Sequence, residues 1–275
     1  MTDGCPEPGS IRHADLTLAQ AQALLQERER ELAALHAAQD EFLRAVSHDL
    51  RAPLRHVTSY GPLVAELLQE AGLQGEALQE AQDFLATMDQ SARRMGRMLD
   101  GLLALSHIAR APLQCQSVAL GALATEVRAT LAASAEGRAV EWHIAADLPS
   151  VPGDAALLRQ MLAELLGNAL KFTRGQAPAR IAVTGARTAD GAVTLRVQDN
   201  GAGFNPAQAA GLFGVFQRLH RESEFEGVGT GLAAVRAIAR RHGGEASATA
   251  APGAGCSVSV RLPCLLTPEI IAIED

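Results

Sequence analysis

The first half of the chain carries apolar residues at helical spacing. From Leu16 onward, one apolar series recurs every seven residues and a second runs beside it, with Gln39 and Arg28 as polar exceptions. The first series is Leu18, Leu25, Leu32 and Val46, and the second is Ala21, Leu35 and Phe42. This heptad pattern predicts a short two-stranded coiled coil over residues 16–41 that leads into the next helical segment. A lone amphipathic helix is the alternative.

A second helical pattern runs from about Glu76 to His107. Its apolar stripe consists of Leu78, Phe84, Leu85, Met88, Met95, Met98, Leu99, Leu102 and Leu105. The two glycines of AGLQG, residues 71–75, predict a turn, so residues 42–108 are expected to form an antiparallel helical hairpin. One hairpin cannot bury so broad a stripe. Two hairpins in a homodimer would bury it by closing into a four-helix bundle.

The second half of the chain alternates between helix and strand patterns. After a predicted linker at 109–117, Asp154 can cap a helix that reaches about Thr173. Strands are predicted at 180–184, 192–198, 245–249 and 256–262, with a hairpin turn at Asp190-Gly191. Residues 118–264 should therefore form an α/β sandwich, with helices on one side of a largely antiparallel sheet. The fold class as a whole is α+β. Residues 1–15 are expected to be disordered, and the tail, 265–275, receives no role.

Composition argues against several classes of partner and location. The net charge of −7 argues against nucleic acid as a partner, because binding to phosphates needs concentrated Lys and Arg. The four cysteines are scattered, without a CxxC pair, so we expect reduced thiols in a cytoplasmic protein. No long uncharged apolar run or signal-peptide pattern is present, so neither membrane insertion nor export is expected.

The stretch SHDLRAPL, residues 47–54, places chemistry on the first helix of the hairpin. At about 100° per residue, the apolar residues of this helix crowd into one arc, and His48 lies nearly opposite its centre, so it should face solvent. The apolar arc consists of Phe42, Val46, Leu50, Leu54, Val57 and Val64. Pro53 cannot donate a hydrogen bond to the carbonyl of Asp49, and we expect the helix to bend just beyond His48, at a cost of about 3 kcal/mol. The carboxylate of Asp49 can hold one ring N–H, which leaves the other nitrogen with its lone pair as a nucleophile.

Four further stretches suggest a nucleotide site without a P-loop. In AELLGNALKFT, residues 163–173, Glu164, Asn168 and Lys171 share one stripe of a helix, and Lys171 is the only lysine of the chain. Oxygen ligands suit Mg²⁺, and an ammonium suits phosphate. Without context, the same stripe is a solvated helix face.

The other three stretches follow in order along the chain. In QDNGAGF, residues 198–204, Asp199 can accept a hydrogen bond from an exocyclic amino group, and Gly201 and Gly203 let the backbone approach a flat base. LFGVFQRLH, residues 212–220, contains two phenylalanines and Arg218, and it is expected to form a mobile lid. EGVGTGLAAV, residues 226–235, frees the backbone before a helix whose N–H groups can receive phosphates.

These motifs resemble those of a known family. FLRAVSHDLRAPL is similar to the phosphoacceptor box of two-component sensor histidine kinases, most closely the bacteriophytochrome-like branch. The four later stretches resemble the nucleotide site of the GHKL ATPases, the family of histidine kinases, gyrase, Hsp90 and MutL. The resemblance covers about residues 40–263. It implies a kinase that uses ATP and Mg²⁺ to phosphorylate His48 and then passes the phosphoryl group to an aspartate of a response regulator.

The resemblance also implies individual roles. Asp49 would be the base for His48, Asp199 would bind adenine, and Asn168 would hold Mg²⁺. Glu164 would orient Mg²⁺ or a proton acceptor. The phosphates and the base would contact a larger set, which comprises Lys171, Gly201, Gly203, Arg218, Gly227, Gly229, Thr230, Gly231 and Leu232.

Some features leave alternatives open. Position 52 is Ala where many members carry Thr or Asn, which puts phosphatase activity towards the regulator in doubt. No sensor domain precedes the coiled coil, so either the chain is an excerpt or a separate upstream protein supplies the signal. A GHKL ATPase that drives conformational work and a non-catalytic dimeric scaffold remain as alternative functions. The GHKL ATPases need no box such as His48 with Asp49, and an intact Asn168 and Asp199 argue against the scaffold.

Overall fold

A computed structural model describes residues 18–135, 137–221 and 224–263 of the chain. The predicted disordered N-terminus and the tail lie outside these ranges, as do Cys5 and Cys264. The α-helices are α1 (Leu18–Glu70), α2 (Glu76–Arg110), α3 (Leu120–Ala132), α4 (Ala155–Phe172) and α5 (Gly231–Arg241). The strands are β1 (Cys115–Ala119), β2 (Val140–Ile144), β3 (Ser150–Asp154), β4 (Ala179–Arg187), β5 (Val193–Asp199), β6 (Glu245–Ala250) and β7 (Cys256–Leu262). Short 3₁₀ turns occupy Ala133–Ala135 and Pro206–Gly211.

Helix α1 is continuous through both of its prolines, Pro53 and Pro62. Pro53 therefore does not end the helix, and a bend there stays a prediction. The part of the helix before Ser47 forms a unit by itself. Among the described side chains of its heptad series, Leu25, Leu32, Leu35 and Phe42 are exposed, and Ala21 and Val46 are half-buried. Their exposure leaves them available to a second helix, and the coiled coil stays a prediction. Among the described residues, no helix combines the length and the apolar character needed to cross a membrane.

Helices α1 and α2 form the predicted antiparallel hairpin. The turn uses Gly72 and Gly75 at φ values of 77° and 67°, a region that favours glycine. Further along the hairpin, Arg51 Nη2 lies 2.7 Å from Asp100 Oδ1 and ties the two helices together. This ion pair is exposed, so it adds little stability, but it shows that Arg51 and Asp100 lie at about the same level of the hairpin.

The hairpin carries many exposed apolar side chains. The side chains that are about half or more exposed include Leu50, Leu63, Leu67, Phe84, Met88 and Met95. So many exposed apolar side chains on two helices indicate an interaction surface. The hairpin therefore has the unfilled face that the bundle prediction requires.

The segment predicted as a linker, 109–117, is shorter than expected. Helix α2 extends to Arg110, and β1 begins at Cys115 and pairs antiparallel with β3, with Val118 opposite Val151. The sequence gives little sign of β1, because only Val118 of its five residues is buried. What connects the hairpin to the sandwich is thus a short loop followed directly by a strand.

The sandwich is built on a five-stranded sheet with the order β2-β4-β5-β7-β6. β2 pairs parallel with β4, and the other neighbours pair antiparallel, so the prediction of a largely antiparallel sheet is confirmed. The turn between β4 and β5 contains Gly191 at φ 84°, as the Asp-Gly signal predicts. The short strand β2 carries no comparable signal and was not predicted.

Helices α3, α4 and α5 share one hydrophobic core with the sheet. α4 supplies more of this core than any other element, through fully buried residues such as Leu158, Met161, Leu162 and Leu166. Asp154 caps this helix, since its Oδ1 accepts hydrogen bonds from the backbone N–H groups of Ala156 and Leu157. The predicted extent of α4 is confirmed. α3 was not predicted as an element.

A buried histidine holds the start of α4 to the end of α5. His242 is 1% exposed, its Nδ1–H donates to the carbonyl of Ile238 at 2.8 Å, and its Nε2 accepts from the backbone N–H of Asp154 at 3.0 Å. Burial lowers the pKa of His242, although the hydrogen bond to Ile238 and the charge of Asp154 oppose the shift. This arrangement requires a neutral imidazole, because a protonated Nε2 could not accept a hydrogen bond.

We expect the sandwich to lose stability as the pH falls below about 6.5, the ordinary pKa of histidine. The unfolded chain binds a proton there that folded His242 excludes, so the free energy of unfolding rises with pH through this range. Urea unfolding followed by the fluorescence of Trp142, the only tryptophan, would measure it. His242→Gln should flatten this pH dependence, whereas His143→Gln, at an exposed position on β2, should not. An unchanged slope in His242→Gln would contradict the assignment.

Candidate functional site

A cleft of roughly 300 Å³ opens between α4, the end of β5 and the chain that precedes α5. A cleft of this size suits a small-molecule ligand. Most of the residues named from sequence line it, namely Glu164, Asn168, Lys171, Asp199, Gly203, Arg218, Gly227, Gly229, Thr230, Gly231 and Leu232. Gly201 is not among the lining residues, but its N–H donates to Asp199 Oδ1 at 2.8 Å. The stretches that are far apart in sequence therefore do converge.

The polar stripe of α4 faces the glycine-rich segment. A Cβ atom at Gly231 would lie 2.3 Å from Glu164 Oε2 and 3.6 Å from Asn168 Nδ2, so no side chain fits between them. A Cβ atom at Gly227 would lie 3.5 Å from Lys171 Nζ. The stripe is therefore not a solvated helix face. It forms one wall of the cleft, against the N-terminus of α5.

The donor set on this wall fits a magnesium ion. Glu164 and Asn168 offer oxygen ligands side by side, and Mg²⁺ commonly uses one or two protein ligands together with substrate phosphates. Among the described residues, no cluster of three His, Cys, Asp or Glu side chains could hold a metal without help from a ligand. The site therefore fits an ion that arrives with a phosphate-bearing molecule.

The charges of this wall are poorly solvated. Burial raises the pKa of Glu164, and the charge of Lys171 opposes that shift. Burial also lowers the pKa of Lys171, and Arg218 lowers it further. Its Nζ lies 4.4 Å from the ring centroid of Phe172, which provides a cation–π contact. Both groups would gain charge stabilisation from an anionic ligand bound with a cation.

Asp199, the last residue of β5, also lines the cleft. Its Oδ1 accepts from the backbone N–H groups of Gly201, at 2.8 Å, and Cys256, at 3.3 Å. These bonds hold the carboxylate in place and leave Oδ2 able to accept from an amino group. Burial raises the pKa of Asp199, and the two N–H groups offset part of the shift. A Cβ atom at Gly201 would lie 2.5 Å from the carbonyl oxygen of Phe172, so the loop packs directly on α4.

The lid segment is held against the glycine segment by backbone contacts. The N–H of Phe216, which has φ 62°, donates to the carbonyl of Gly229 at 2.9 Å. A Cβ atom at Gly229 would lie 2.6 Å from the carbonyl oxygen of Gln217. Arg218 donates to the carbonyls of Phe225, at 2.6 Å, and Gly227. The guanidinium of Arg218 thus shapes the loop, and its implied contact with phosphates stays a prediction.

The structure adds cleft residues that the sequence did not reveal. Phe172, His220 and Phe225 form an aromatic cluster with ring centroids 4.9 to 5.4 Å apart, and His220 Nε2 lies 2.9 Å from the carbonyl oxygen of Gly203. The quoted motifs contain Phe172 and His220, but their spacing gives no sign that the rings meet. Arg97, on α2, also lines the cleft. No pattern within α2 separates Arg97 from the other arginines of that helix.

His48 lies on the hairpin, outside the cleft. Its side chain is 89% exposed and that of Asp49 is 80% exposed, so the prediction that His48 faces solvent is confirmed. His48 Nδ1 lies 3.2 Å from Asp49 Oδ1. In the tautomer that donates this hydrogen bond, Nε2 carries a lone pair directed away from Asp49.

The fold and the cleft define a nucleotide-binding sandwich domain joined to a helical hairpin with an exposed histidine. Comparison with known families agrees on both parts. Residues 38–110 match the His Kinase A (phospho-acceptor) domain, and residues 153–265 match the histidine kinase-, DNA gyrase B-, and HSP90-like ATPase domain. Together these matches cover more than half of the chain. The chain belongs to the two-component sensor histidine kinase family.

Individual relatives support this assignment. The methanogenesis regulatory histidine kinase FilI of Methanothrix harundinacea is 30% identical over 92% of this chain and 28% of its own length. The phytochrome-like protein Cph1 of Synechocystis is 29% identical over 90% of this chain and 32% of its own. The chain thus spans about a third of the length of these curated relatives. The crystal structure of full-length ShkA in complex with AMPPNP matches with a TM-score of 0.57 and 25% identity, over 82% of this chain and 46% of that one.

Proposed function

We propose that this protein is an ATP-dependent histidine kinase that phosphorylates His48 and passes the phosphoryl group to an aspartate of a response regulator. The observation that carries the proposal is the presence in one chain of an exposed His48–Asp49 pair and a separate cleft that Asp199 and the polar stripe of α4 line together. A scaffold would not need the cleft, and an ATPase alone would not need the pair.

The chemistry of the first step follows from the tautomer of His48. Nε2 attacks the γ-phosphorus of ATP, an N–P bond forms, and the bond from phosphorus to the oxygen shared with ADP breaks. The imidazole becomes cationic as it attacks, and its Nδ1 proton moves towards Asp49, which lies within hydrogen-bond reach. ADP leaves with the electron pair of the broken bond. Positioning and charge stabilisation, more than covalent chemistry, set the rate of such a transfer.

Binding of ATP would divide between the two ends of the cleft. Asp199 would accept from the exocyclic amino group of adenine, while Lys171 and the N–H groups at the start of α5 would hold the phosphates. Asn168 and Glu164 would hold Mg²⁺, which neutralises charge on the triphosphate when it is bound. The lid held by Arg218 and Phe216 would cover the nucleotide and exclude water.

The exposed apolar face of the hairpin supports a homodimer. Burying half-exposed side chains such as Leu63, Leu67 and Phe84 against a second copy would contribute about 25 cal/mol for each Å² removed from water. His48 lies on the opposite side from the apolar arc, so it would stay accessible in the bundle. A response-regulator domain could then reach the phosphorylated imidazole from solvent.

Incubation with γ-labelled ATP would test the proposal. The wild-type protein should become labelled through an acid-labile, alkali-stable bond. His48→Gln should remove all label but still bind ATP, because the residue is exposed and lies outside the cleft. Asn168→Ala should lower labelling at least about a hundredfold, since it removes a ligand that acts on the triphosphate. His56→Gln, at another exposed position on α1, is the matched control and should label normally.

Three outcomes would contradict the proposal in different ways. Label that persists in His48→Gln would show that the acceptor is another residue. A wild-type protein that binds ATP without becoming labelled would favour the scaffold. Continued phosphate release with an acid-stable label, or with none, would favour an ATPase.

A further inference from the structure

Helix α2 contributes to the cleft of the sandwich domain. Arg97, more than fifty residues before the first residue of α4, lines the cleft together with Asn168, Lys171 and Thr230. The motifs that define the nucleotide site all lie after residue 160, so none of them accounts for an arginine from the hairpin. A guanidinium carries a permanent charge and presents paired N–H groups that match the oxygens of a phosphate.

The approach of α2 is close and depends on a glycine. One turn beyond Arg97, a Cβ atom at Gly101 would lie 2.5 Å from Thr230 Cγ2 and 3.1 Å from Thr230 Cβ. Thr230 is the N-cap of α5 and its side chain caps no N–H group, so the first N–H groups of that helix suit a phosphate. Further along the same helix, Ile108 is 1% exposed and belongs to the core of the sandwich. Arg97 is therefore brought to the phosphate end of the cleft by a packed interface.

The contact between Gly101 and Thr230 lies near His48, the proposed phosphoacceptor, along the axis of the hairpin. The Arg51–Asp100 ion pair shows which positions of α1 and α2 lie side by side. Gly101 follows Asp100 directly, and His48 precedes Arg51 by less than one helical turn, so the two positions lie within about one turn of each other along the axis. Docking at Gly101 thus brings the phosphate end of the cleft to the level of His48.

We propose that Arg97 of α2 binds the γ-phosphoryl group of ATP, so that the nucleotide site is complete only when the sandwich domain is docked on the hairpin. The inference rests on the proposed function and adds a catalytic residue to it. In the transfer step Arg97 stabilises charge on the three peripheral oxygens of the phosphoryl group while the bond to ADP breaks and the bond to His48 Nε2 forms. Arg97 neither gains nor loses a proton in this step.

Comparison of ATP with ADP isolates this contact. With the full chain and Mg²⁺, Arg97→Ala should weaken binding of a non-hydrolysable ATP analogue about tenfold. Binding of ADP, which lacks the γ-phosphoryl group, should change less than about twofold. The initial rate of labelling at saturating ATP should fall at least about tenfold. Arg97→Lys keeps the charge without the paired N–H groups and should recover only part of the rate.

Two further variants distinguish the effect of the Arg97 side chain from the effect of docking α2 on the sandwich domain. Arg94→Ala removes an exposed arginine of the same helix that does not line the cleft, and it should behave as wild type. Gly101→Ala keeps Arg97 but forces α2 away from Thr230, so it should reproduce the loss of preference for the ATP analogue. Equal weakening of ATP analogue and ADP by Arg97→Ala, no weakening of either, or wild-type preference in Gly101→Ala would overturn the inference. Because the binding measurement needs no phosphoryl transfer, these outcomes are distinct from a failure to label His48.

Discussion

Replacing Asp199 with Asn is expected to weaken ATP binding about a hundredfold while the sandwich stays folded. The substitution keeps the shape of the side chain and its acceptor for Gly201 and Cys256, but it puts an N–H₂ group where Oδ2 should meet the amino group of adenine. Two donors then face each other, and a charge-assisted hydrogen bond, which contributes about 1.5–3 kcal/mol, is lost. Fluorescence or calorimetric titration with an ATP analogue would measure the change.

The pH dependence of binding gives an independent check on Asp199. Because burial raises its pKa, the carboxylate takes up a proton at a higher pH than an ordinary aspartate, and ATP affinity should begin to fall there. Asp199→Asn should lack this step. Asp147→Asn, at an exposed position beyond β2, serves as the control. Unchanged affinity in Asp199→Asn would remove the adenine assignment.

The long-period patterns of the sequence predicted most of the fold. The AGLQG turn, the cap at Asp154 and the Asp190-Gly191 hairpin each rest on local chemistry, and each appears in the structure. The heptads predicted the helix that the structure shows at this place, while the coiled coil itself stays a prediction. β1, β2 and β3 could not be predicted, because five-residue strands that pair across distant parts of the chain carry too little periodicity. Pro53 is a case where a local rule has less effect than expected. The sequence shows the local penalty of a proline inside a helix, but the 53-residue helix α1 continues through Pro53.

The positions of site residues could be predicted where a single motif places them on one face of one helix. Glu164, Asn168 and Lys171 are spaced to share a helix face, so their alignment follows from the sequence, and the resemblance supplied their partners at 227–231. Arg218 lies in the expected place, but its hydrogen bonds go to the backbone of its own loop. Arg97 and the ring of Phe225 could not be identified, because each reaches the cleft through tertiary packing that no local spacing encodes.

The glycine loop around the adenine end should be the most sensitive part of the backbone. Gly203 has φ 61°, and a Cβ atom there would lie 2.0 Å from the carbonyl oxygen of Ala251. That carbonyl belongs to the turn between β6 and β7, which is tied to the loop by a 2.7 Å hydrogen bond from the N–H of Gly253 to Ala202. Neither side can yield without breaking the hydrogen bond. Gly203→Ala should therefore lower the free energy of unfolding by at least about 3 kcal/mol and abolish ATP binding.

The neighbouring turn offers a matched control. Gly253 has φ 71°, close to that of Gly203, but nothing lies within 4 Å of the position of its Cβ atom. Gly253→Ala should therefore cost only the left-handed backbone penalty, about 1 kcal/mol, and should leave ATP binding intact. Urea unfolding followed by Trp142 fluorescence would compare the two variants. Similar losses in both would mean that backbone conformation alone, and not the close approach of Ala251, makes glycine necessary at position 203.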